Sequence, residues 1–236
     1  VVANLLLVHG AWHGGWCWRD LRPPLEAEGH RVWAPDLPGH GDDPRPLAQL
    51  SLECYVESIC DLIDTIDPPV LLIGHSMGGI VISQVAQQRP ERIERLVYLA
   101  ALLPRSGQSL VDNVLERREV ELAQPADGGL SLRLSEQSLT ELFYHDCLQQ
   151  LPWARERLVP QPLAPFVTPV VLSDDRFGRL PRSYIHCRAD RVVEFGNQRR
   201  MVRATPCDST FVLECGHMAM LADPRGVADC LRQILA

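Results

Sequence analysis

Short runs of Leu, Ile and Val punctuate this chain, and between them apolar residues return every three or four positions. The runs fall at 5–8, 31–33, 70–73, 96–99, 183–187 and 210–213. Their length and β-branched content predict buried strands. The 3.6-period stretches at 17–28, 52–66, 77–89, 194–204 and 225–235 predict amphipathic helices. Gly29, Pro90 and Pro206 stand where three of those helices must stop. Strands that alternate with helices cannot pair as hairpins, so the expected fold is α/β with a mostly parallel sheet of about six strands.

The alternation ends after Ala101. Across 104–169 the pattern is helical and broken by prolines, with Leu139, Leu142, Phe143 and Cys147 at helical spacing. Ser138 and Glu141 have the spacing of a capping box for that helix. The expectation is one domain over 1–236, with its core in 1–103 and 170–236 and a helical lid inserted at about 104–169, over the strand ends. There is no internal repeat and no low-complexity tract.

The formal net charge of −7 gives no reason to expect a nucleic acid or an anionic membrane as partner. Arginine-rich patches such as Glu116-Arg117-Arg118-Glu119 are interleaved with acids and read as a solvated helix face. The apolar opening VVANLLLVHG is far shorter than the ~20 residues of a membrane span. It also lacks a basic lead and a cleavage site, so no signal peptide is expected. Eight cysteines are scattered without C-x-x-C spacing. Cys17, Cys54, Cys60, Cys187, Cys215 and Cys230 have apolar neighbours and read as small buried hydrophobes in a reduced, cytoplasmic protein. His9 and His13 are four apart, but the glycines around them disfavour a helix, and no metal or organic cofactor is expected.

The chemistry concentrates at IGHSMGG, residues 73–79, where a strand gives way at once to a helix. Such a turn forces its central residue into a strained conformation and requires small neighbours, which Gly74, Gly78 and Gly79 supply. Ser76 would then stand at the carboxyl end of its strand, where parallel sheets bind ligands. A serine hydroxyl needs a base, and the base needs an orienting acid. Enzymes built on such a turn supply these in the order serine, acid, histidine. Asp190 follows the strand at 183–187 and His217 follows the strand at 210–213, so both fall at the same end of the sheet as Ser76. Asp36 reads instead as a turn-shaping residue, and Asp174 and Asp175 precede their strand. An acyl-transfer oxyanion needs two donors. The Met77 amide, opening the next helix, and the Ala11 amide, in the HGAWHGG loop after the first strand, are the candidates. His9 is expected to brace that loop.

The segments LLLVHGAWHGGWCW, GHSMGG, RFGRLPRSYIHCRADRV and ECGHMAML resemble the α/β-hydrolases, and within them the group of plant methylesterases, hydroxynitrile lyases and related bacterial esterases, pyrethroid hydrolases included. The resemblance implies the α/β-hydrolase fold, Ser76 as nucleophile, Asp190 as acid, His217 as base, and Ala11 with Met77 as oxyanion donors. In the lyases a threonine follows the first histidine of the loop and a lysine follows the catalytic histidine. Gly10 and Met218 occupy those positions here, which favours an esterase. A lyase, or a receptor-like member that binds a ligand without turning it over, are the alternatives. Trp12, Leu103, Phe143, Met218 and Met220 are candidate substrate contacts and are equally compatible with core packing; Phe143 and Trp153 fit lid packing better. They suggest a small-molecule, uncharged, apolar ester as the partner. The resemblance also allows a homodimer.

Overall fold

The computed structural model describes residues 2–67, 69–113 and 122–236. The mixed-charge run at 116–119 lies outside the described residues. Strand β1 (Asn4–Val8) leads through a tight 3-10 turn (Gly15–Trp18) to helix α1 (Arg22–Ala27) and strand β2 (Arg31–Trp33). Then come α2 (Leu52–Thr65), β3 (Val70–His75), α3 (Gly78–Gln88) and β4 (Ile93–Leu99). An excursion follows, containing α4 (Leu110–Asn113), β5 (Ala123–Ala126), β6 (Ser131–Leu134), α5 (Glu136–Ser138), a π-helical turn (Leu139–Phe143), α6 (Leu151–Arg155), β7 (Gln161–Pro162) and α7 (Ala164–Val167). The chain closes with β8 (Arg182–Cys187), α8 (Phe195–Ala204), β9 (Ser209–Leu213), α9 (Ala219–Ala222) and α10 (Pro224–Leu235).

All six expected strands are present and form one parallel sheet in the order β2-β1-β3-β4-β8-β9. Every residue of β3 is buried, because helices cover both faces of a parallel sheet. That is why the central strands read as continuous apolar runs. At the edge, β9 alternates between half-buried and exposed positions before it ends on buried Leu213. From β1 the chain moves outward to β2 on one side, then returns to build β3 and β4 on the other. The reversal leaves a crevice beyond the carboxyl ends of β1 and β3, where open α/β sheets bind their ligands.

Helix starts and stops follow local chemistry. Ser51 caps α2 by accepting a hydrogen bond from the Cys54 amide at 3.2 Å. Gly29, with φ of 91°, ends α1 in the left-handed region that a side chain disfavours. The helix expected over 17–28 is instead a 3-10 turn followed by the short α1, with prolines in its first turn. Pro23 and Pro24 have no N–H to donate back, so no helix can run through them.

The excursion differs from the helical expectation in one substantial respect. Strands β5, β6 and β7 form a three-stranded sheet paired antiparallel, with Ala123 opposite Leu134 and Ser131 opposite Pro162. Asp127, Gly128 and Gly129 make the β5–β6 turn with φ of 51°, 68° and 89°. Asp-Gly-Gly is a hairpin signal. The helical cap sits three residues earlier than expected, since Ser135 Oγ accepts from the Ser138 amide at 3.0 Å.

Candidate active site

Ser76 occupies the single-residue corner between β3 and the residues that open α3, with φ of 54°. A non-glycine residue there costs about 1–3 kcal/mol and persists only where its surroundings leave no alternative. The Ser76 carbonyl accepts from the amides of Gly79 and Leu102, each at 3.0 Å. The neighbouring glycines allow close approach. A Cβ on Gly78 would lie 2.5 Å from the Val8 carbonyl oxygen, and one on Gly74 would lie 2.7 Å from that of Gly78.

Asp190 and His217 come from the loops after β8 and β9. The two loops are tied together where the Ala189 amide donates to the Cys215 carbonyl at 3.0 Å. His217 Nε2 lies 3.0 Å from Ser76 Oγ, and its Nδ1 lies 2.8 Å from Asp190 Oδ2. The side chains of His217 and Asp190 are fully buried, whereas Ser76 is half-buried. Asp190 Oδ1 accepts from the Val192 and Val193 amides at 2.7 and 2.9 Å, and its Oδ2 from Gln198 Nε2 at 3.3 Å. A buried carboxylate with four donors is both solvated by the protein and held in one orientation. His217 therefore carries its proton on Nδ1 and presents a lone pair from Nε2 to the serine hydroxyl.

The HGAWHGG loop closes the other side. A Cβ on Gly10 would lie 2.8 Å from Ser76 Cβ, which places the loop against the Ser76 side chain. His9 braces it as expected: Nδ1 donates to the Gly10 carbonyl at 2.7 Å, and Nε2 accepts from the Leu37 amide at 2.9 Å. His13 is equally committed, through the Ala11 carbonyl at 2.7 Å and the Tyr144 hydroxyl at 2.8 Å. With all four ring nitrogens engaged, neither histidine offers a lone pair to a metal. Burial holds His9 well below its usual pKa and lowers that of His13 to about 3. Burial, reinforced by the neighbouring His217, also keeps His75 neutral. Its Nε2 lies 2.9 Å from the His217 carbonyl. Among the described residues, the Ala11 and Met77 amides have no protein acceptor.

All five candidate substrate contacts are buried. The Phe143 ring stands perpendicular to that of His217, with centroids 5.2 Å apart, and perpendicular to that of Trp12, with centroids 5.7 Å apart. Trp12 also lines a cavity of about 240 Å³ with Leu134, Leu139, Val159 and the exposed Arg133 and Arg155. Leu103, Met218 and Met220 are buried to 2% exposure or less. The Leu103 amide points at Met201 Sδ in α8, 3.4 Å away. Trp153 packs against Trp16 and lies beneath Arg19 and Arg157. Asp36 accepts from the Gly15 amide at 2.7 Å and so ties the segment after β2 to the 3-10 turn after β1.

Sequence reading missed four residues that support this arrangement. Gln198 spans Asp190, the Val193 carbonyl and the Cys187 backbone. Asp146 accepts from the Gly216 amide at 2.5 Å, and His145 Nε2 reaches the Ala189 carbonyl at 3.0 Å, so the excursion holds the loops that carry His217 and Asp190. Gln161, from β7, reaches the loop that follows β1. A polar residue with distant backbone partners carries no periodic signal. All eight cysteines are free thiols, with Cys187 and Cys215 sulfurs 3.8 Å apart.

A model of the alpha/beta hydrolase family matches residues 5–230. A pyrethroid hydrolase of Sphingobium wenxiniae is 32% identical over 98% of this chain and 86% of its own. Salicylic acid-binding protein 2 of Nicotiana tabacum is 31% identical over 98% of this chain and 96% of its own. A solved structure of a pyrethroid hydrolase superposes with a TM-score of 0.90 at 31% identity, covering 100% of this chain and 98% of that one.

Proposed function

The chain belongs to the alpha/beta hydrolase family, and we propose that it is a serine carboxylesterase acting on uncharged, apolar carboxylic esters. The observation that carries this reading is the relay of Asp190, His217 and Ser76 through contacts of 2.8 and 3.0 Å. His217 Nε2 takes the proton of Ser76 Oγ as the oxygen attacks the ester carbonyl. The Ala11 and Met77 amides donate to the resulting oxyanion, each worth about 10²–10³ in kcat. His217 then returns the proton to the departing alcohol, and afterwards activates the water that releases the acid. Asp190 holds the imidazole in the required tautomer and stabilises its charged form. Every proton transfer in this sequence runs between Ser76, His217, the departing alcohol and water, so the reaction needs no cofactor.

Several relatives carry esterase names, among them methylesterase 2 of Arabidopsis thaliana at 30% identity and a carbendazim hydrolyzing esterase of Nocardioides at 30%. The apolar ring of Phe143 packed against His217 favours an uncharged group beside the base. In the same reading, 104–169 is the lid over the site and the protein works in the cytoplasm. Among the described residues no helix is long and apolar enough to cross a membrane.

The test is a time course of p-nitrophenyl acetate and butyrate hydrolysis by the wild type and Ser76→Ala, with cyanide release from mandelonitrile measured alongside. Ester turnover by the wild type alone is expected. Equal turnover by a folded Ser76→Ala would remove the nucleophile assignment, and cyanide release in preference to ester hydrolysis would make the protein a lyase.

A further inference from the structure

Trp12 is the residue after the Ala11 amide, and its φ of 62° lies in the left-handed region although it is neither glycine nor asparagine. Three hydrogen bonds hold it there, and all three partners belong to the three-stranded sheet of the excursion or its approach. The Val159 amide donates to the Trp12 carbonyl at 3.1 Å. Trp12 Nε1 donates to the Leu132 carbonyl at 2.8 Å, and the Trp12 amide donates to Gln161 Oε1 at 3.2 Å.

Gln161 is fully buried, and each hydrogen-bonding position of its amide is used. Oε1 accepts from the Trp12 amide and, at 3.1 Å, from His40 Nε2. Nε2 donates to the Tyr55 hydroxyl at 3.3 Å and to the Pro162 carbonyl at 3.1 Å. Rotating the amide by half a turn would set N–H against N–H at Trp12 and oxygen against oxygen at Pro162, so only one orientation is satisfied. The Ala11–Trp12 peptide is thus pinned at both ends, its carbonyl by His13 Nδ1 and its N–H by Gln161. The preceding peptide has its carbonyl on His9 Nδ1. In a trans peptide the N–H points opposite to the carbonyl, which leaves the Ala11 N–H as the one donor in this stretch turned away from the bracing network.

We propose that Gln161 is a positioning residue for catalysis: from the lid it fixes the Ala11–Trp12 peptide, and so aims the Ala11 amide at the oxyanion. This rests on the reading of Ala11 as an oxyanion donor. Gln161 does not touch the substrate. Its effect falls on the charge that develops in the transition state and is absent from the ground-state ester.

The experiment compares wild type, Gln161→Met and Gln161→Glu. Methionine keeps the length and bulk of the side chain without its hydrogen bonds, while glutamate, kept protonated by burial, accepts from the Trp12 amide with its carbonyl oxygen and donates its O–H to the Pro162 carbonyl. Thermal unfolding, kcat and KM for p-nitrophenyl butyrate, and inhibition by an aryl trifluoromethyl ketone, whose serine adduct carries an oxyanion, are measured on each. For Gln161→Met the expected result is a fall in kcat of about 10- to 100-fold. KM stays within about twofold, and ketone affinity weakens in step with kcat. Gln161→Glu should recover most of both, and it decides the matter if the methionine variant is unfolded. The proposal is overturned if folded Gln161→Met keeps wild-type kcat, if only KM rises, or if folded Gln161→Glu is as impaired as methionine. Failure of the esterase reading itself would look different, because the wild type would then show neither turnover nor a ketone adduct.

Discussion

Gly10 and Ser76 touch so closely that a single methyl group on Gly10 would fall 2.8 Å from Ser76 Cβ and 3.1 Å from His75 Nδ1. The loop after β1 and the corner after β3 are thereby one unit. Gly10→Ala must displace one or the other. The expected cost is about 1–3 kcal/mol of stability, or about 2–4 °C in Tm per kcal/mol, together with a large loss of kcat. Calorimetry and ester kinetics on the same preparation would show both. Wild-type kcat in Gly10→Ala would mean that the contact is not part of the catalytic geometry.

Ser76 holds a left-handed backbone that alanine must share and glycine adopts freely. Ser76→Gly and Ser76→Ala both lose the hydroxyl, so the difference between them isolates backbone strain. Ser76→Gly is expected to be more stable by about 1 kcal/mol, with neither variant hydrolysing esters. Denaturant unfolding provides the comparison, and equal stability would deny the strain.

Asp190→Asn offers a sharper test than removal of the side chain. The amide oxygen can still accept from Val192 and Val193, which leaves the NH₂ facing His217 Nδ1 and the NH₂ of Gln198. The imidazole must then place its proton on Nε2 and cannot accept from Ser76. A loss of about 10⁴ in kcat is expected, with the folded state retained. Full activity would move the acid's role to another residue.

Three buried neutral histidines, His9, His13 and His75, make stability depend on pH. Each takes up a proton more readily in the unfolded chain than in the fold, so the unfolded state binds more protons below about pH 6.5. Their contribution is fully present above that pH and is lost as pH falls, for His13 down to about 3. Tm measured from pH 7.5 downward should therefore decline steadily below about 6.5. A flat profile down to about pH 5 would show that the three are not held neutral.

The sequence by itself determined most of the frame. Six apolar runs became six parallel strands because a sheet covered on both faces admits little else. The juxtaposition of Ser76, Asp190 and His217 was legible for a related reason: each follows a strand, and parallel strands deliver their following loops to one end. Ser76, Asp190 and His217 therefore had to fall at one end of the sheet. The antiparallel sheet of the excursion was poorly legible, since strands of two to four residues give too few periods to distinguish from helix. Only the tertiary structure decided that Gln198 would orient Asp190, that Asp146 and His145 would hold the loops bearing His217 and Asp190, and that Gln161 would grip Trp12. A hydrogen bond between residues 149 positions apart depends on where two surfaces finally pack, and neither local propensity nor hydrophobic period encodes that.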